Sequence, residues 1–111
     1  MQQTELPEIT VQEFKAMRDG NEEFVLLDVR KDWEYKIVNL GGKLIPLGEL
    51  TDRLDELSGH EDDVVVVHCR SGGRSAQAVM QLQAAGFTKA TNLAGGTLAW
   101  SREIDPSAPT Y

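Results

Sequence analysis

The sequence predicts an α/β domain built on a mainly parallel sheet. Three observations carry that expectation. Short clusters rich in β-branched and aliphatic residues, at 24–29, 64–68 and 90–93, are spaced by segments of helical periodicity. Polar or glycine-rich turns follow the clusters, as at Arg30-Lys31-Asp32 and Gly95-Gly96. A chain of 111 residues holds one core and has no room for a second.

The elements follow in order. Thr10 and Glu13 fit a capping box that opens a first helix, with Val11, Phe14 and Met17 inward and a stop near Gly20. The run 24–29 reads as a buried strand, followed by the polar turn Arg30-Lys31-Asp32 and a short helical piece from Trp33 to Val38. Gly41 and Gly42 precede an extended stretch at 44–47. Leu50, Leu54 and Leu57 share one face of a helix expected over about 48–58. The strand at 64–68 leads into a glycine-rich loop and a helix over 75–85, stopped by Gly86. A short strand at 90–93 and a last helix over about 97–104 complete the domain, expected to span 8–104. Residues 1–7 and the proline-containing tail 105–111 are expected to be loosely held.

Composition narrows the function classes. The net charge of −7, from 18 acidic and 11 basic residues, argues against a nucleic-acid or anionic-membrane surface. Apolar runs reach four residues, against the roughly 20 a membrane helix needs. One cysteine rules out an internal disulfide and suits a reducing cytoplasm. The opening Met1-Gln2-Gln3-Thr4-Glu5 lacks the basic and apolar regions of a signal peptide, so a cytoplasmic location is expected. His60 and His68 with one Cys lack ligand spacing, so neither a metal nor another cofactor is expected.

The most informative segment is Val64-Val65-Val66-Val67-His68-Cys69-Arg70-Ser71-Gly72-Gly73-Arg74-Ser75. A buried strand delivers the one cysteine into a loop that opens a helix. Amides of such a loop can converge on a single point, and the helix dipole adds positive charge there. A thiol placed there has a lowered pKa. A cysteine after a core strand can also be simple packing. The paired glycines, which allow close backbone approach, and the two arginines favour a reactive thiol. Sites in parallel sheets form at the carboxyl ends of strands, which brings Asp28, Arg30 and the Gly95-Gly96 turn into the same region.

Together, Leu27-Asp28-Val29-Arg30, Trp33-Glu34-Tyr35, Ile45-Pro46-Leu47, the cysteine loop and Leu93-Ala94-Gly95-Gly96-Thr97-Leu98-Ala99-Trp100 resemble a single-domain rhodanese, in that family's order. The segment Glu34–Asn39 and the tail through Tyr111 are similar to rhodanese modules attached to MoeB/ThiF-type adenylating enzymes. One departure stands at Val38-Asn39-Leu40-Gly41-Gly42-Lys43, where Asn39 occupies the family's usual histidine position. The resemblance implies a rhodanese-like fold with a central, mostly parallel five-stranded sheet flanked by helices. It implies a sulfurtransferase that moves sulfane sulfur from thiosulfate or a persulfide donor to a thiol or cyanide through a Cys69 persulfide. Arg70, Ser71, Gly72, Gly73, Arg74 and Ser75 would form the persulfide-binding loop, with Asp28 and Arg30 in support. The partners implied are a small anionic donor and a protein sulfur carrier.

Individual residues keep alternatives. Arg74 either serves the anion or bridges to a carboxylate that shapes the loop, while Arg70 is expected at the entrance. Ser75 is expected to cap the following helix. His68 should point away from the sulfur, because strand side chains alternate. Trp33 and Trp100 are expected to pack. A cysteine phosphatase shares His-Cys…Arg-Ser but places one residue more between Cys and Arg than the four found here, so the smaller loop favours sulfur. A binding module that never turns over its cysteine is the third reading.

Overall fold

The computed structural model describes residues 6–111. Residues 1–5, part of the terminus expected to be loose, lie outside the described residues. Among the described residues, five strands form one sheet: β1 (Glu8–Ile9), β2 (Val25–Asp28), β3 (Lys43–Leu44), β4 (Val65–His68) and β5 (Ala90–Leu93). Their order is β1-β5-β4-β2-β3, and every pairing is parallel. The helices are α1 (Val11–Asp19), α2 (Asp32–Ile37), α3 (Gly73–Ala84) and α4 (Gly96–Glu103).

Strand β4 is central because all four of its side chains are buried, as a strand covered on both faces requires. Val65, Val67 and Cys69 enter the apolar cluster containing Ala78, Val79 and Leu82 of α3. Val66 packs on the opposite face with Phe14, Leu93 and Ala99. The two-residue period of the strand therefore decides which layer receives the sulfur. On the α1 side, Phe14 meets Phe24 and Trp100 edge to face, each at 5.7 Å between centroids. Trp100 packs in the core, whereas Trp33 is 56% exposed and packs at the rim, against Tyr111.

The capping box at Thr10 and Glu13 is present, with bonds of 2.8 and 3.0 Å. The helix expected over 48–58 is absent as an α-helix. Two 3-10 segments, Leu47–Glu49 and Thr51–Leu57, replace it, with a non-helical φ of −120° at Arg53. Leu50 and Leu57 are nevertheless buried, so the apolar face was placed correctly and the winding was not. Gly48 in the first turn and Pro46 just before it leave little intrinsic drive for a continuous α-helix.

Strand β1 was not anticipated, since two residues carry no periodicity. Both ends of the described chain make contacts with the domain. Leu6 packs against the core, and the Pro7 carbonyl accepts the Asn92 amide at 2.9 Å. In the tail 105–111, the Ala108 carbonyl accepts from Ser101 at 2.8 Å, and Tyr111 docks beside the cysteine loop.

Candidate functional site

Strands β2, β4 and β5 end side by side, and their following turns meet. Asp28 pairs in register with His68, so Arg30 and Cys69 leave the sheet at the same edge. The turn after β5 places Gly96 against the back of the cysteine loop. Thr97 and Leu98 donate their amides to the carbonyls of Cys69 and Arg70 at 3.0 and 3.1 Å. Gly96 has φ +57°, and a Cβ there would lie 2.3 Å from the Cys69 oxygen. Only glycine permits that approach.

The loop runs from Cys69 to α3, whose N-cap is Gly72 in a left-handed conformation at φ +113°. The Gly72 amide donates to Sγ of Cys69 at 3.1 Å, and the Ser75 hydroxyl lies 3.4 Å from it. Cys69 is only 1% exposed, and burial by itself pushes its thiol up. The Ser75 hydroxyl and the amides of Ser75, Gly72 and Ser71 outweigh that cost and leave the pKa lowered. The sulfur is thus enclosed, but by donors aimed at it.

Ser75 does not cap α3. It is buried inside the first turn, and its hydroxyl donates to Oδ1 of Asn92 at 2.5 Å. A hydroxyl has one proton, so Asn92 and Cys69 share the same donor. Asn92 also donates to the Gly72 carbonyl at 3.3 Å, tying β5 to the loop.

Of the two readings of Arg74, the geometry supports the bridge. Its Nη1 and Nη2 donate to the two oxygens of Glu34 at 2.7 and 2.8 Å, a bidentate pair that joins α2 to α3. Arg74 holds the Glu34 carboxyl down to about 2 against the opposing effect of burial, and the Lys31 amide and Tyr111 hydroxyl assist. Arg30 is fully buried. Its Nε and Nη2 donate to Asp28 at 2.9 and 2.7 Å, and Nη2 also reaches the Val38 carbonyl at 2.6 Å. Arg30 and Asp28 are therefore braces, and the atypical 38–43 segment supplies one of the acceptors.

Arg70 is not open at the entrance as expected. Its Nε donates to the main-chain oxygen of Tyr111 at 2.6 Å, Nη2 donates to the same oxygen, and the guanidinium stacks 5.2 Å from the tyrosine ring centroid. The Tyr111 hydroxyl donates to Glu34 at 2.8 Å and accepts from Nη1 of Arg30 at 2.9 Å. His68 points away from the sulfur, with Nε2 3.7 Å from Asp28 and, among the described residues, no hydrogen-bond partner on either ring nitrogen. Burial drives its pKa down to about 4. Ser71 and Gly73 are the exposed positions of the loop.

Sequence reasoning missed Glu34, Asn92 and Tyr111. The bidentate partner of Arg74 carried a signal only as part of Trp33-Glu34-Tyr35, and Tyr111 lay in a tail read as loose. A cleft of about 230 Å³ lies between α1 and α4, lined by Thr10, Gln12, Gly95, Arg102 and neighbours. It contains no residue of the cysteine loop. Among the described residues no group of His, Cys, Asp and Glu is arranged to hold a metal ion, and no helix is long and apolar enough to cross a membrane.

The Rhodanese-like domain family matches residues 10–103, nearly the whole chain and the site residues described above except Tyr111. The chain belongs to the rhodanese-like family. It is 40% identical over 118 residues to the adenylyltransferase and sulfurtransferase MOCS3 of Arabidopsis thaliana, covering 93% of this chain and 25% of that protein. It is 36% identical to the putative sulfur carrier protein YrkF of Bacillus subtilis, over 90% of this chain and 54% of that one. A rhodanese-like domain protein from Staphylococcus aureus superposes with a TM-score of 0.80 at 29% identity, covering 96% and 99% of the two chains. The rhodanese-like chain spans about a quarter of the length of MOCS3. The all-parallel five-stranded sheet is the fold that the resemblance implied.

Proposed function

We propose that this rhodanese-like domain is a sulfurtransferase working through a Cys69 persulfide. In the first half-reaction the Cys69 thiolate attacks the outer sulfur of a sulfane donor, thiosulfate or a persulfide. A sulfur–sulfur bond forms to Cys69, and the donor's own sulfur–sulfur bond breaks, releasing sulfite or the donor thiolate. In the second half-reaction an acceptor thiolate, or cyanide, attacks the terminal sulfur and returns the Cys69 thiolate. Splitting the transfer in two is the gain of covalent catalysis. The loop amides and the Ser75 hydroxyl stabilise the anion before and after transfer, because they are oriented in advance.

The observation that carries this reading is the convergence of the Gly72 amide and the Ser75 hydroxyl on a sulfur already shifted toward thiolate. A protein sulfur carrier as acceptor is supported by the naming of YrkF as a putative carrier. A reducing compartment such as the cytoplasm suits a free thiolate. The test is mass spectrometry of the intact chain after thiosulfate or a low-molecular-weight persulfide. A gain of one sulfur, about 32 Da, on the Cys69 peptide and its discharge by cyanide are expected. An unmodified thiol with both donors favours a binding module. Phosphate release from p-nitrophenyl phosphate, abolished in Cys69→Ser, favours the phosphatase reading.

A further inference from the structure

Both arginines of the cysteine loop already have two N–H groups engaged. Arg74 gives Nη1 and Nη2 to Glu34, and Arg70 gives Nε and Nη2 to the Tyr111 main-chain oxygen. The Nε/Nη2 edge of a guanidinium is an edge that grips two oxygens of a sulfonate-like anion side by side. Tyr111 is anchored in that position at three points. Its hydroxyl bridges Arg30 and Glu34, its ring lies under Arg70, and Trp33 meets it edge to face at 5.7 Å.

We infer that Tyr111 is a specificity-determining residue that disfavours small anionic sulfur donors by occupying the Arg70 edge such an anion needs. The inference rests on the sulfurtransferase reading for its meaning in turnover, but its geometry concerns only access of anions to Cys69. A divalent anion such as thiosulfate must displace the tyrosine oxygen before Arg70 can grip it, whereas an uncharged reagent pays no such cost. Glu34 closes the equivalent route through Arg74, and its carboxylate adds repulsion beside the loop.

The experiment compares alkylation of Cys69 by iodoacetate, an anion, with alkylation by neutral iodoacetamide at low ionic strength. The neutral reagent controls for thiol pKa and burial. Tyr111→Ala should raise the iodoacetate-to-iodoacetamide rate ratio by about 3- to 10-fold and lower the KM for thiosulfate by a similar factor, both gains fading at high salt. Tyr111→Ala keeps the main-chain oxygen but loses the side chain that anchors it on Arg70, whereas Tyr111→Phe keeps the anchoring ring, so its ratio should stay within about 2-fold of the parent. In an Arg70→Ala background Tyr111→Ala should change nothing further. A merely structural tyrosine would shift the melting temperature and leave the ratio alone. Should Tyr111→Ala fail to fold, Tyr111→Leu fills the space with neither hydroxyl nor aromatic face and gives the same readout. An unchanged or lower ratio, or a rise that persists without Arg70, overturns the inference. If no variant takes sulfur from any donor, the sulfurtransferase reading fails while the alkylation ratio still decides the role of Tyr111.

Discussion

The Glu34–Arg74 pair gives a prediction whose size and pH window both follow from the structure. Glu34 is 3% exposed, and its carboxylate receives two N–H groups of Arg74, the Tyr111 hydroxyl and the Lys31 amide. Arg74 first, with these other donors, holds the carboxyl at about 2 instead of the ordinary 4.5. A displacement of that size corresponds to about 3 kcal/mol in favour of the ionised folded form. Arg74 is 36% exposed on its side chain, so solvent screening reduces the contribution to about 1–2 kcal/mol. The folded pKa lies below the unfolded one. The stability is therefore fully present above pH 4.5 and is lost as pH falls toward 2.

Glu34→Gln removes the charge and turns an NH2 toward an arginine that also only donates. Urea unfolding at pH 7 should show a loss of about 1–2 kcal/mol, equivalent to roughly 4–10 °C in melting temperature for a domain of this size. The difference between parent and variant should narrow steadily from pH 4.5 downward, because the parent carboxyl then protonates and the two chains become alike. Every other acid titrates in both proteins and cancels. A difference that is the same at pH 2.5 as at pH 7 would show that shape, not charge, holds α2 to α3, and the electrostatic reasoning would be wrong.

Other outcomes follow from the same geometry. Ser75→Ala removes the largest of the groups that lower the Cys69 thiol, so the inflection of iodoacetamide alkylation should move to higher pH; no movement would mean the amides act alone. Gly96→Ala forces a Cβ to within 2.3 Å of the Cys69 oxygen, so the loop must shift, and persulfide formation should slow at least about 10-fold in a chain that still melts cooperatively. His68, lowered to about 4 by burial, should stay neutral through pH 5; folding then loses stability as pH falls from 6.5 toward 4, and His68 ring resonances should not titrate above pH 5. A His68 resonance titrating near 6.5 would contradict its burial.

Much of this architecture was legible because it depends on short-range signals. The capping box at Thr10, the β-branched run into Cys69 and the glycines of the loop each act within a few residues, and each appears where the pattern put it. The orientation of His68 followed from strand alternation alone. What could not be read depends on contacts across long stretches of sequence. The partner of Arg74 is 40 residues away, and the partner of Arg70 is 41 residues away. Nothing in the composition around Tyr111 distinguishes a docked tail from a free one, because two prolines and a serine describe both. Ser75 was misassigned for a related reason. Its hydroxyl was expected to satisfy a local helix amide, but β5 places Asn92 beside it and the longer-range partner prevails.

The burial of Cys69 is where function and stability meet. A thiol at 1% exposure belongs to the apolar cluster under α3, and apolar surroundings alone would keep it protonated and inert. The thiol is nevertheless lowered, because the strand that sinks the sulfur into the core ends at His68, just before a loop whose amides turn inward. The carbonyls of that loop must then face backward, and α4 receives two of them with its first amides. Glycine at position 96 is the condition for this back-to-back arrangement, so a residue after β5 governs a cysteine after β4. The loop is held from behind by α4 and from the sides by Glu34 and Tyr111, which leaves Ser71 and Gly73 as its exposed rim. On the proposed sulfurtransferase reading, these side supports, Arg74 paired with Glu34 and Arg70 held by the Tyr111 main-chain oxygen, would admit uncharged sulfur more readily than a small divalent anion.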